Sequence, residues 1–175
     1  MKKENKFSTV QIAIAGLFIA ITVVMSYQNI YIFGPRSGRI TLRFIPMIFS
    51  SILLGPKLGC IIGGISDPLI YFLTLGSPGL YFPGYMLTNM LMGLFPGFIL
   101  KNGDKKILTI IVKLLIITVL SFALTIFLDS FWLSITRGKG FWYYVIARSI
   151  PNAIQSIITF IALFILTTRI KKRYR

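Results

Sequence analysis

The chain has 175 residues, 55% of them hydrophobic and 13% charged, with mean hydropathy +0.81, which lies far outside a soluble globular domain and places it in a bilayer. Its net charge of +15 sits at the ends of apolar segments rather than in a basic stripe with interleaved aromatics, which argues against nucleic acid as a partner. Histidine is absent, acids number four and the one cysteine, Cys60, lies in an apolar glycine-rich run, so catalysis, a disulfide framework and a Cys-rich metal site all lack their usual residues.

An apolar crossing takes about 20 residues, so residues 1–175 read as a single membrane-embedded domain with no room for a second. Hydropathy and helix breakers predict six spans, at 8–29, 40–54, 57–75, 84–100, 106–130 and 141–169, an all-α bundle. The opening Met1-Lys2-Lys3-Glu4-Asn5-Lys6 leads into a segment too long for a signal peptide and without a clean small-residue cleavage site, so it reads as the first transmembrane helix. Along that helix Gly16 and Ala20 lie four apart, with Ala13 on nearly the same face. A neighbouring helix can approach closely there, either within the bundle or as another membrane protein docking on it.

The second span is short, follows Gly34-Pro35-Arg36-Ser37-Gly38-Arg39 and carries Pro46, so an irregular start is expected where protein or a cavity covers it. Gly55-Pro56 turns it into the third, where Gly59, Gly63, Asp67 and Tyr71 share one helical face that runs from smooth to polar. The fourth span reverses the order with Tyr85, Asn89, Gly93 and Gly97. Packed through their glycines and held apart by their polar ends, the two would leave an outward-facing cavity; glycines of this kind also serve simply to pack. The sixth span carries Arg148, Asn152, Gln155 or Ser156, and Thr159 on one side, with Pro151 among them, a pattern that fits either interhelical hydrogen bonding or a binding site.

Two connections are rich in aromatics. One runs Gly76-Ser77-Pro78-Gly79-Leu80-Tyr81-Phe82-Pro83-Gly84-Tyr85 and reads as a shaped loop that presents flat rings. The other joins Phe131-Trp132-Leu133 to Arg137-Gly138-Lys139-Gly140-Phe141-Trp142-Tyr143-Tyr144, whose last three aromatics suit a membrane-interface belt.

Counting cations on the two sides gives twelve against six, with Lys113 able to snorkel to the richer side, so both termini are expected in the cytoplasm. Arg36, Arg39, Arg43, Arg137, Lys139 and Arg148 then face outward, contrary to the usual bias. Solvation or lipid headgroups account for some of them, but Arg43 and Arg148 fall at or inside spans, where only Asp67 and Asp129 are placed to pair with them. The remaining cation excess fits an anionic ligand. No phosphate-binding Gly-x-x-x-x-Gly-Lys-Ser/Thr loop, zinc motif, catalytic triad or pair of inverted halves is evident. A solute-binding membrane chain of this kind needs an external source of energy.

Arg43-Phe44-Ile45-Pro46, Leu54-Gly55-Pro56-Lys57-Leu58-Gly59, Gly63-Gly64-Ile65-Ser66-Asp67, Tyr81-Phe82-Pro83-Gly84-Tyr85 with Gly93, and Phe131-Trp132-Leu133 with Gly138 before Arg148 resemble the substrate-binding (S) components of energy-coupling factor (ECF) transporters. Within them the Tyr-Phe-Pro-Gly-Tyr and Trp-Leu blocks are most similar to the folate branch. The resemblance covers nearly the whole chain. It implies a non-enzymatic, multi-pass protein of the bacterial cell membrane that needs no cofactor or metal. Such a protein binds one vitamin on its outer side and joins a membrane coupling subunit and two cytoplasmic ATPases. Its Ala-x-x-x-Ala docking motif is matched here by Gly16 and Ala20.

Folate fits this chemistry: a pterin takes aromatic stacking and a polar partner for its edge, and a glutamate tail takes Arg or Lys. The candidate residues are Asp67 or Asn89 for the edge, Tyr81, Phe82, Tyr85 and Trp132 for stacking, and Arg36, Arg39, Arg43, Lys139 and Arg148 for the tail. Arg148 is equally a candidate partner for Asp67 or Asp129. Another anionic vitamin such as pantothenate, a small enzyme acting on lipid headgroups, and a structural subunit holding anionic lipid stay open as alternatives.

Overall fold

The computed structural model describes residues 7–31, 39–73, 81–100 and 107–173, with side chains for all of these except 29–31, 39 and 170–173. In chain order they form α1 (Thr9–Ser26), β1 (Asn29–Tyr31), β2 (Arg39–Thr41), α2 (Phe44–Leu54), α3 (Pro56–Leu73), α4 (Pro83–Ile99), α5 (Ile107–Arg137) and α6 (Phe141–Arg173). α1, α5 and α6 are long and apolar enough to cross a membrane, and α2 is a shorter apolar helix.

Prolines mark three of the helix starts. Pro56 and Pro83 open α3 and α4, where a missing N–H removes no helical bond, and Pro46 is tolerated in the first turn of α2 for the same reason. Glycine marks two ends: Gly55, at φ +92°, separates α2 from α3, and Gly138, at φ +71°, terminates α5.

α2 sits at the centre. Its Phe44, Met47, Ile48, Phe49 and Ile52 pack with Met92, Leu114, Ile117 and Leu163 from three other helices, so a helix that is apolar all round is also covered all round. α1 lies outside it, touching the bundle through Ala15 against Leu58 and Ile62, while Val10, Leu17 and Val24 remain exposed. In a bilayer that face meets lipid.

α3 and α4 make the closest pair. A Cβ added at Gly59 would collide with the Gly93 carbonyl, one at Gly93 with the Gly59 carbonyl, and one at Gly63 with the Asn89 backbone. The glycine stripes expected to suit one another do mesh.

Two elements depart from the predicted spans. Residues 40 and 41, assigned to the start of the second span, instead belong to β2, which pairs antiparallel with β1 in a small hairpin, Ile30 opposite Ile40. The Thr41 N–H donates to Gln155 Oε1 at 3.1 Å, which fastens this hairpin to α6 and makes it part of the bundle. The fifth helix also runs seven residues past its predicted end, so Phe131-Trp132-Leu133 lie on α5 rather than in a loop.

Candidate functional site

The meshed glycines decide where the polar ends of α3 and α4 meet. Because Gly63 packs on the backbone of Asn89, the next turn of α3 brings Asp67 opposite the Asn89 side chain, and Asn89 Nδ2 donates to Asp67 Oδ1 at 2.6 Å. The Tyr81 hydroxyl donates to Asp67 Oδ2 at 3.4 Å, and Arg43 Nη1 lies 3.9 Å from Oδ1. The same guanidinium stands 4.9 Å from the centre of the Phe44 ring, a cation–π arrangement. Burial first, and then the Asp67 carboxylate, push the Tyr81 phenol up to about 12; it stays a donor at neutral pH.

A second ion pair joins α5 and α6. Arg148 Nη2 donates to Asp129 Oδ2 at 3.1 Å, which settles the choice of partner for Arg148 in favour of Asp129. Each of the two arginines placed within the spans therefore meets one of the two acids available, as the cost of an isolated charge there demands.

The aromatic residues divide into two groups. Tyr81 leans toward α3, stacked on Phe72 with centroids 6.0 Å apart and tilted against Tyr71 at 5.2 Å. Its neighbour Phe82 turns the other way, 5.5 Å from Trp132 on α5 and 6.2 Å from Tyr85 on α4. Trp132 Nε1 donates to Thr88 Oγ1 at 3.1 Å, so the ring is aimed as well as packed. Gly84 lies beneath this group; a Cβ there would enter the space of the Phe82 and Trp132 rings.

Asp67, Asn89, Tyr81 and Arg43 are thus brought together, with Phe82, Tyr85 and Trp132 in an adjoining cluster and Arg148 of α6 paired with Asp129 of α5. Lys139 is not among them: it is exposed after α5, with Nζ 4.4 Å from the centre of the Tyr143 ring and 3.4 Å from its hydroxyl. Arg36 lies outside the described residues. Arg39 is placed on β2 by its backbone alone. Gly16 and Ala20 are exposed on α1, and a Cβ at Gly16 would touch nothing within 4 Å. Tyr144, read as part of an interface belt, is buried, whereas Trp142 and Tyr143 are exposed.

Between the polar ends of α3 and α4, where a cavity was expected, Asp67 and Asn89 bond directly to each other. A cavity lies deeper, between α2, α4, α5 and α6. It encloses about 10 Å³ and is lined by Phe44 and Met92, by Thr118, Ser121 and Thr125 of α5, and by Asn152, Gln155 and Thr159 of α6, among others. The polar side of α6 was legible from spacing. The hydroxyls of α5 were not, since Thr118 and Thr125 bond back to the Leu114 and Ser121 carbonyls at 2.7 and 2.9 Å and leave the hydropathy of the segment intact. Their recurrence at three- and four-residue steps was the available signal.

Two arginine–acid pairs and a group of flat rings gathered in a helical bundle, three of whose helices are long and apolar enough to cross a membrane, suit a membrane-embedded binding subunit. The chain belongs to the ECF-type riboflavin transporter S-component family, whose profile matches residues 6–172. It is therefore a transport subunit and not an enzyme. The folate transporter FolT of Clostridium novyi (strain NT) is 29% identical over 164 residues, spanning 94% of this chain and 88% of that protein. A crystal structure of FolT bound with folic acid superposes with TM-score 0.76 at 27% identity, over 93% of this chain and 95% of that one. The S component of a bacterial ECF transporter superposes with TM-score 0.64 at 20% identity, over 95% and 98% of the two chains, a likeness of fold. Family and fold agree with the resemblance drawn from the sequence motifs; the vitamin named differs between the family description and the two FolT relatives.

Proposed function

We propose that this S component captures folate at the outer face of a bacterial cell membrane, with both termini in the cytoplasm. A membrane coupling subunit and two cytoplasmic ATPases then drive its release inward. The observation that carries the folate reading is the FolT structure with folic acid, which shares this fold over 93% of the chain at 27% identity. The residue chemistry agrees with it. Tyr81, Phe82, Tyr85 and Trp132 offer ring faces, Asp67 or Asn89 offers polar contact for a pterin edge, and Arg36, Arg39, Arg43, Lys139 and Arg148 supply positive charge for a glutamate tail. For Arg43 and Arg148, engaging the tail means exchanging or sharing the carboxylates of Asp67 and Asp129. Gly16 and Ala20 form the strip for the coupling subunit, being small and exposed.

Riboflavin is the second reading, favoured by the family description. Thermal unfolding of the purified chain with folic acid, riboflavin and pantothenate in turn separates these. A ligand present at about 1,000 times its Kd stabilises by about 4 kcal/mol. Folic acid is expected to give that shift; stabilisation by riboflavin with silence from folic acid overturns the assignment.

A further inference from the structure

The turn between α5 and α6 joins two helices that are long and apolar enough to cross a membrane, and it carries Arg137 and Lys139, both exposed. Between Ser130 and Arg175 the sequence holds no acid. The acid just before that stretch, Asp129, is already paired with Arg148 at 3.1 Å. Beside the two cations stand Trp142 and Tyr143, exposed as well, and rings of this kind settle at the depth of lipid headgroups. The turn is thus a positive surface at the level where a bilayer presents its phosphates.

From this turn an apolar strip runs down α6. Trp142, Ile146, Ile150, Ala153 and Ile157 recur at four- and three-residue steps, which sets them on one side of the helix, and all five are exposed. At Ala153 and Ile157 the strip opens into a groove of about 250 Å³ between α5 and α6, whose other lining residues are Thr118, Val119, Phe122 and Ser156. The hydroxyls of Thr118 and Ser156 donate to the Leu114 and Asn152 carbonyls of their own helices at 2.7 and 2.8 Å. The groove therefore offers an occupant an apolar wall.

We propose that this face of α5 and α6 holds an anionic phospholipid, its phosphate on Arg137 and one acyl chain laid along the α6 strip with its end in the groove. The depths agree. At about 1.5 Å per residue, Phe122 lies about 22 Å along α5 from Arg137, and Ala153 lies about 18 Å along α6 from Phe141. One leaflet with its headgroups is about 20–22 Å deep. Charge selects the occupant: a guanidinium pairs well with phosphate, whereas a second copy of the chain docking through the same face would set Arg137 and Lys139 against their own counterparts. Lys139, offered above to the glutamate tail, adds to the positive charge of the turn. Arg137 has no part in the folate reading, so the lipid site stands apart from it.

The test titrates the purified, delipidated full chain with phosphatidylglycerol and with phosphatidylcholine of the same acyl chains, and reads bound lipid by native mass spectrometry. The wild-type chain is expected to prefer phosphatidylglycerol, and Arg137→Gln to weaken that preference about fivefold, the worth of one cation near a headgroup. Ala153→Leu fills part of the groove, so it should lower the affinity for both lipids alike and leave the preference intact. A short-chain phosphatidylglycerol, which cannot reach the groove, should bind the wild-type chain more weakly than the long-chain lipid and be indifferent to Ala153→Leu. That comparison of chain lengths on the wild-type protein carries the test if Ala153→Leu does not fold. Equal binding of the two headgroups by the wild-type chain overturns the proposal. So does a preference that survives Arg137→Gln unchanged, or an affinity that ignores acyl length. A dimer that forms without lipid and falls apart in Ala153→Leu would make this face an interface between copies and overturns it as well.

Discussion

α1 and α3 each carry small residues four apart, yet a side chain added to them meets different surroundings. At Gly59 and Gly63 it would strike the backbone of α4, and at Gly16 it would meet nothing. Without water between helices to drive apolar burial, association in a bilayer relies on close packing, and small residues are what permit it. The α3–α4 seam has used that capacity within the chain. The α1 strip has not, and stays available to another helix.

The seam also has a consequence at its polar end. Fixing Gly59 against Gly93 sets the register of α3 on α4, and that register delivers Asp67 to Asn89 and keeps Arg43 within 3.9 Å of the carboxylate. The most damaging way to break the comparison is thus Gly93→Leu. A leucine there must push two backbones apart, and overpacking of this kind costs about 3 kcal/mol or more. The expected outcome is loss of a stable, monodisperse protein in detergent. A variant with an unchanged unfolding midpoint would mean that the seam is looser than its geometry implies.

A smaller effect is expected at the Arg148–Asp129 pair. Removing one partner of a fully buried pair costs about 3–5 kcal/mol. Here the side chains retain 20% and 10% exposure, which leaves some solvent screening, so Asp129→Ala should destabilise by about 2 kcal/mol. Arg148→Ala combined with Asp129→Ala should recover part of that loss in a double-mutant cycle. Additive losses would show that the two residues do not act as a pair.

These contrasts also mark what the residue pattern could and could not convey. Hydropathy and the prolines at 56 and 83 located the helices, and four-residue spacing predicted the facing glycine stripes, because both depend on local rules. The hairpin of three-residue strands is too short to produce a periodic signal, and its tie to Gln155 spans 114 positions. α5 was cut short because Phe131-Trp132-Leu133 resembles an interface loop, although no glycine or proline interrupts the chain from Ile107 until Gly138. Spacing placed Arg148 on a polar face of α6 but could not choose between Asp67 and Asp129, which is a matter of how neighbouring helices are rotated. The cavity was hidden for a related reason: hydroxyls that bond to their own helix look apolar to any hydropathy window.

The gentlest perturbation sharpens the comparison most. Gly16→Leu adds bulk where the chain has open space, and its effect on the unfolding midpoint and on ligand affinity should fall within about 0.5 kcal/mol, the range of ordinary surface substitutions. Uptake of the vitamin by cells should nevertheless be lost, because the added side chain obstructs the strip proposed for the coupling subunit. Ala20→Leu should behave alike, one turn along. Retained uptake would remove the docking role from α1. Loss of binding by the purified chain would instead make the strip part of the internal packing, and the distinction between the two small-residue faces would disappear.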